Sequence, residues 1–194
     1  PLNDEQHTQV GLINSAGKHL LSIISDILDL SRVEAGKVRV EARAFDAAAV
    51  VAEVAGVLRP LAAEKALDVQ VRIPDGALYM TSDPAKVRQI LLNLGGNAVK
   101  FTERGRIEIE LDKTDGTVRF RVSDTGRGVP ADQLERIFES FSQAHRFDGP
   151  PGGSGLGLTI SREFARLLGG DITVTSEVGR GSTFTLTLPT GKAG

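Results

Sequence analysis

The chain lacks the residues on which several kinds of site depend. It contains no cysteine, which excludes disulfides and thiolate metal sites and leaves the redox compartment open. Its 194 residues carry a formal charge of −2, so nothing in the composition points to a nucleic-acid partner. The length fits one domain with an appendage.

Long apolar runs are also missing. No apolar stretch reaches the roughly 18 residues that a membrane-spanning helix requires, and no secretory signal is recognisable. We therefore expect a cytoplasmic location, while a longer parent protein could still be anchored in a membrane.

The sequence divides near residue 40. Residues 2–35 are predicted to form one long helix, which Asn3 or Asp4 can cap and Gly36 can end. Its apolar residues follow three- and four-residue spacing; they are Val10, Ile13, Leu20, Leu21, Ile24, Ile27, Leu28 and Leu30. Such a stripe needs a partner, either the rest of this chain or a second helix. The predicted units are residues 1–40 and 41–194.

The second unit alternates helices and strands. Helices are predicted at 46–66, from Pro84 after a cap by Ser82 or Asp83, and at 155–168, with strands around 69–73, 107–112, 118–123, 172–174 and 184–188. This pattern predicts an α+β fold, a two-layer α/β sandwich with helices on one face of a mixed sheet.

One hairpin is specified by the residues themselves. Asp115-Gly116 is a strong two-residue turn signal. That turn pairs Leu111 with Phe120 on the core face. It also pairs Asp112 with Arg119, and Glu110 with Arg121, on the solvent face, so apolar and charged pairs agree on one register.

Glycines, amides and one acid occur in a fixed order. Asn93 and Asn97 lie four residues apart and share a helix face. Asp124 ends an apolar strand and opens the sequence DTGRG (124–128). GGSGLG (152–157) precedes a helix start, where backbone N–H groups favour phosphate, and GSTF (181–184) follows. Together they indicate a nucleotide pocket, and the pattern fits neither a P-loop nor a Rossmann motif.

This series resembles the ATP-binding domain of sensor histidine kinases, which belong to the GHKL class with the Bergerat fold. Residues 86–102 resemble that family's N box, 124–128 its G1 box, 137–141 its F box, 153–158 its G2 box and 181–184 its last glycine motif. Residues 20–36 resemble the second helix of the dimerisation domain.

The resemblance assigns roles to individual residues. It implies that Asn97 binds Mg²⁺, that Lys100 contacts a phosphate and takes part in catalysis, and that Asp124 accepts a hydrogen bond from the adenine amino group. Phe101 is expected beside the adenine or in the core. The other implied ATP contacts are Gly126, Gly128, Phe141, Gly153, Ser154, Gly155, Leu156, Gly157 and Thr183. Residues 142–152 resemble the mobile ATP lid.

Asn93 bears on the type of reaction. ATP-hydrolysing members of the class usually carry a glutamate there, and an amide cannot accept the proton of an attacking water. We therefore assign Asn93 a catalytic position in phosphoryl transfer. The alternatives are an ATP-hydrolysing GHKL motor and a non-catalytic nucleotide-binding regulatory module.

The resemblance also implies partners. The family's phosphoacceptor histidine is followed by an acid, and none of His7, His19 and His145 is. The expected partners are ATP, an upstream acceptor helix, a response-regulator receiver domain and a second copy in the full-length protein. Gly95 and Gly96 depart from the family pattern, either to admit close packing or to loosen the site.

Overall fold

The computed structural model describes residues 3–140 and 155–191. Within these ranges the chain forms four α-helices, seven strands and two single 3-10 turns. The helices are α1 (Asp4–Glu34), α2 (Ala47–Ala63), α3 (Pro84–Phe101) and α4 (Gly157–Leu167). The strands are β1 (Arg43–Asp46), β2 (Asp68–Arg72), β3 (Tyr79–Ser82), β4 (Arg106–Thr114), β5 (Thr117–Asp124), β6 (Asp171–Glu177) and β7 (Gly181–Pro189). The 3-10 turns are Ala131–Gln133 and Arg136–Phe138.

Five strands form a mixed sheet in the order β2-β4-β5-β7-β6. β2 runs parallel to β4, and the other neighbours are antiparallel. Side chains alternate between the two faces of a strand, and one face carries the buried residues Ile107, Ile109, Leu111, Val118, Phe120, Val122, Phe184, Leu186 and Leu188. Helices α2, α3 and α4 pack on that face, which confirms the predicted two-layer sandwich.

The β4–β5 hairpin has the predicted register. Leu111 lies opposite Phe120, Asp112 opposite Arg119, and Glu110 opposite Arg121. The charged pairs form ion pairs, with Nε–carboxylate distances of 3.0 Å for both Arg119–Asp112 and Arg121–Glu110. The turn places Asp115 and Gly116 at positive φ, as this tight connection requires.

Two strands were not predicted. β1 and β3 pair antiparallel in a separate two-stranded sheet. Asp46 joins this sheet to α2, because its carboxylate accepts the backbone N–H groups of Ala48 and Leu78, each at 3.0 Å.

Helix α1 begins at the predicted cap. Asn3 accepts from the Gln6 backbone and Gln6 from the Asn3 backbone, which forms a capping box. The predicted apolar stripe is exposed from Val10 to Leu28, reaching 71% at Ile13, while Leu30 and Val33 pack against the core. The alternative in which the whole stripe packs on this chain is therefore wrong, and a partner helix remains a prediction. No helix among the described residues is long and apolar enough to cross a bilayer.

The two unusual glycines of α3 differ in their surroundings. A Cβ on Gly95 would overlap Cδ1 of Leu58 in α2, whereas one on Gly96 meets nothing within 4 Å. Gly95 thus admits close packing of α2 on α3. Gly96 lies on the same helix face as Asn93 and Lys100, at spacings of three and four.

This difference predicts opposite effects for two matched substitutions. Gly95→Ala should lower the free energy of unfolding by about 1 kcal/mol, because overpacking outweighs the gain in helix propensity. Leu58 is only 1% exposed, so a shift of its overlapping Cδ1 methyl would displace other buried side chains. Gly96→Ala should raise it by about 0.5–1 kcal/mol. Urea unfolding of both variants measures this, and equal effects would contradict the packing role of Gly95.

Candidate functional site

Helix α3 supplies the polar face of the site. Its apolar residues Val87, Ile90, Leu91, Leu94 and Ala98 are buried, which turns Asn93, Asn97 and Lys100 toward the helix edge. All three are half-buried. No described residue hydrogen-bonds the Asn97 side chain, so its amide oxygen can accept a further ligand.

Charged side chains hold both ends of α3. At the start, Asp83 accepts the backbone N–H groups of Ala85 and Lys86 at 3.1 Å and pairs with Lys86 Nζ at 2.6 Å. At the end, Lys65 Nζ donates to the carbonyls of Val99 and Lys100 at 2.9 and 3.0 Å. These contacts satisfy groups that a helix leaves unpaired and complement its dipole.

Asp83 is a charged group within the fold, only 2% exposed. Burial raises the pKa of its carboxyl, but hydrogen bonds from the Lys86 side chain and from the backbone of Glu41 and Lys86 outweigh burial and lower the pKa overall. The carboxylate is therefore the stable form in the folded protein. The Glu41 contact, at 3.0 Å, ties the segment after α1 to the start of α3.

Asp124 lies at the end of β5, on the helix-facing side of the sheet. Its Oδ1 accepts the Gly126 backbone N–H at 2.8 Å, and the Ser182 backbone also donates to it. Burial raises the pKa of this carboxyl, and the two backbone hydrogen bonds only partly counter that rise. A partly desolvated acceptor of this kind favours a ligand that brings its own donor.

Thr183 does not reach this position. In β7, Ser182 lies opposite Asp124 and shares its face, whereas Thr183 points to the other face and pairs with Ser123, with an Oγ–Oγ1 distance of 2.9 Å. Within this motif, Ser182 and not Thr183 shares the face of Asp124; the ATP contact of Thr183 stays a prediction. The sequence itself indicates this face. Phe184, Leu186 and Leu188 alternate toward the core, so the even-numbered Ser182 shares their face and Thr183 does not.

Two cations share one aromatic ring beside the site. Lys100 Nζ lies 5.1 Å and Arg127 Cζ 4.7 Å from the centroid of the Phe101 ring. Burial lowers the pKa of the Lys100 ammonium, and the charge of Arg127 lowers it further. Neither cation pairs with a described carboxylate. Arg127 could not be assigned to the site from the sequence, because the motif allows any residue between its two glycines.

Phe101 is half-buried. It is therefore neither a fully buried core residue nor fully exposed beside the site. Its backbone carbonyl packs against Gly126 of the G1 segment so closely that a Cβ there would lie 2.5 Å from the oxygen. Gly128 has a φ of +72° and lies against the backbone of Glu177, which fixes the far end of the same loop. The loop 124–128 is thereby held at the end of α3.

Helix α4 brings the second glycine motif to the same place. Gly157 begins the helix, and a Cβ there would overlap the Asn93 amide. Leu156 is fully buried, and Gly155 precedes it at a φ of +70°; their ATP contacts stay predictions. Predicted contacts Phe141, Gly153 and Ser154, with the lid 142–152, lie outside the described residues.

The segment before the lid is anchored by aromatic packing. Phe138 is buried and meets Phe184 edge-on with centroids 6.4 Å apart. Arg162 of α4 covers the Phe138 ring at 4.6 Å and also bonds Asp171 at 3.1 Å. The F-box segment, α4 and β6 are thus joined through one guanidinium.

The donor set fits magnesium better than a protein-only metal centre. The described residues contain no cluster of three or more His, Cys, Asp or Glu side chains that could hold a metal. Magnesium needs few protein ligands when substrate phosphates complete its shell. The open amide of Asn97, next to the unfilled space at Gly96, is suited to that arrangement.

Residues 82–192 match the model of a protein family described as "Histidine kinase-, DNA gyrase B-, and HSP90-like ATPase". The chain belongs to this family. Its matching part is an ATP-binding domain of the sensor histidine kinase type, as the names of its relatives indicate.

Among the relatives of this ATP-binding domain, autoinducer 2 sensor kinase/phosphatase LuxQ of Vibrio cholerae is 41% identical over 97% of this chain. Circadian input-output histidine kinase CikA of Synechococcus elongatus is 37% identical over 97%. The chain spans 23% and 26% of these two proteins. Full-length ShkA in complex with AMPPNP superimposes with a TM-score of 0.88 at 36% identity, covering all of this chain and 40% of ShkA.

The pKa of Asp124 predicts a pH-dependent stability difference. The Asp124 carboxyl binds its proton more tightly in the folded protein than in the unfolded chain. The free energy of unfolding therefore rises as the pH falls from the folded-state pKa of Asp124 to its unfolded-state pKa. Asp124→Asn lacks that contribution. The wild type should therefore gain stability relative to the variant as the pH falls from neutral toward the ordinary aspartate pKa of about 4.

Urea unfolding of wild type and Asp124→Asn across this range measures the difference. Asp75→Asn, which removes an exposed carboxylate, is the matched control. A gap between wild type and Asp124→Asn that stays constant with pH would show that burial does not raise the Asp124 pKa.

Proposed function

We propose that this domain binds Mg²⁺–ATP and transfers the γ-phosphoryl group to a histidine on a separate helix. One observation carries the proposal: the amide face of α3 meets the first turn of α4 at Asn93 and Gly157. That contact joins the N box to the G2 box, so a triphosphate held at the α4 N-terminus would also face Asn97 and Lys100.

The site carries charges of both signs, which supports a defined ATP orientation. Asp124 provides a carboxylate acceptor for the adenine amino group, a donor that guanine lacks at the corresponding carbon. Lys100 and Arg127 provide positive charge for the phosphates. The backbone N–H groups of Gly126 and Ser182 hold Asp124 in place, and Phe101 contacts the two cations.

In the proposed reaction, an imidazole nitrogen of the acceptor attacks the γ-phosphorus in line with the leaving oxygen. The new N–P bond forms as the bond to the β,γ-bridging oxygen breaks, and ADP leaves with that electron pair. Bound at Asn97, Mg²⁺ would neutralise part of the developing phosphate charge. Lys100 contacts the phosphates, and Asn93 holds the amide face against α4.

Transfer is favoured over hydrolysis by the chemistry at residue 93. An amide cannot accept a proton from water, and the Asn93 nitrogen already donates to Ser161 at 2.8 Å. The hydrolytic alternative therefore lacks a base at this position. A purely regulatory module remains the second candidate only if no acceptor helix receives the phosphoryl group.

The Mg²⁺ assignment predicts a selective loss in one variant. Asn97→Ala should abolish the gain in ATP affinity that Mg²⁺ provides while leaving adenosine affinity unchanged, since the adenine contact lies at Asp124. Titration calorimetry of ATP with and without Mg²⁺ measures this. Asn14→Ala, at an exposed position of α1, is the control. A wild-type Mg²⁺ response in Asn97→Ala would remove Asn97 as the ligand.

The transfer assignment predicts dependence on an added acceptor. With γ-labelled ATP the chain alone should remain unlabelled and hydrolyse ATP slowly. Adding a helix that carries a histidine followed by an acid should give acid-labile, base-stable label on that helix. Lys100→Met should reduce this label strongly. Labelling of the chain itself, lost on replacing His7, His19 or His145, would show that the acceptor is misplaced.

A further inference from the structure

The Asn93 side chain lies lengthwise along the first turn of α4. Its Nδ2 donates to Ser161 Oγ at 2.8 Å, and its Oδ1 lies so close to Gly157 that a Cβ there would overlap it. Gly157 and Ser161 are four residues apart and therefore share one face of α4. One amide thus contacts two successive turns of the neighbouring helix.

The direction of the amide follows from the charges at its two ends. The start of a helix carries partial positive charge from its unpaired N–H groups, which favours the amide oxygen beside Gly157. The Ser161 hydroxyl accepts the amide hydrogens one turn further along. Both ends of the Asn93 side chain are therefore complemented by α4.

Ser161 is an unusual residue for its location. It is 3% exposed, next to Ile160 and one turn from Phe164 and Ala165, which are also buried. A buried hydroxyl without a partner destabilises a protein, and alanine is the better helix former. Asn93 is the hydrogen-bond partner that accounts for a serine at this position.

We propose that Ser161 is a positioning residue for the phosphate end of the site. The inference rests on the proposed function. By holding Asn93, Ser161 fixes the spacing between the α4 N-terminus and the α3 face that carries Asn97 and Lys100. A triphosphate must contact both elements at once, whereas adenine contacts only the Asp124 end. Ser161 therefore acts on phosphate binding and not on base binding.

The test compares two ligands in four proteins. Mg²⁺–ATP and adenosine are titrated into wild type, Ser161→Ala, Asn93→Ala and the double variant. Ser161→Ala should weaken Mg²⁺–ATP binding about three- to tenfold, the range for one neutral hydrogen bond, with adenosine affinity unchanged. In the Asn93→Ala background, Ser161→Ala should cause no further loss. Ser82→Ala, a buried serine of β3, is the matched control and should match wild type.

Two results would overturn the proposal. One is an equal loss of adenosine and Mg²⁺–ATP affinity in Ser161→Ala, which would indicate general damage to the fold. The other is a full additional loss in the Asn93→Ala background, which would mean that Ser161 does not act through Asn93.

A ligand-free measurement separates this inference from the proposed function. In ¹⁵N-labelled protein the Asn93 side-chain amide hydrogens should exchange slowly with solvent, and Ser161→Ala should accelerate that exchange. Fast exchange in wild type would overturn the positioning role even if ATP binds. Slow exchange in a wild-type protein that does not bind ATP would contradict the proposed function. It would still support the Asn93–Ser161 hydrogen bond.

Discussion

Helix α3 depends on a charged side chain at each end, and the rest of the site depends on α3. The Asp83 carboxylate satisfies N–H groups at its start, and the Lys65 ammonium satisfies carbonyls at its end. Both positions complement the helix dipole. Because neither end can fray without losing a charge-assisted hydrogen bond, the amide face between them keeps a fixed orientation to the sheet.

The same contacts connect α3 to both neighbouring parts of the chain. Asp83 also binds the backbone of Glu41, and Gln89 bonds Asp29 of α1 at 3.2 Å. The end of α1 thus meets the helix that carries the site, while its exposed apolar stripe extends away from the core. A displacement of α1 would shift α3, because these two hydrogen bonds link α3 to α1 and to the segment that follows α1.

Local patterns predicted the hairpin because its information is local. Asp115-Gly116 sets the turn, and every pair across the strands agrees with it. The resemblance located Asn97, Lys100 and Asp124 on the helix and strand that the structure gives them. Strands β1 and β3 escaped prediction because each has four residues and is defined by pairing with a distant segment. Ser161 escaped because its partner lies 68 residues away, and no spacing rule spans that distance.

The proposed function accounts for the electrostatics of Lys100, Arg127 and Asp124. Burial lowers the pKa of the Lys100 ammonium, and the charge of Arg127 beside the same Phe101 ring lowers it further. In the same loop as Arg127, burial raises the pKa of the Asp124 carboxyl. Each charge is therefore less favourable in the ligand-free protein than it would be in water. A ligand that brings phosphates to the cations and an amino group to the carboxylate relieves both penalties at once. A neutral nucleoside relieves only the second, so the phosphates contribute affinity beyond their direct contacts.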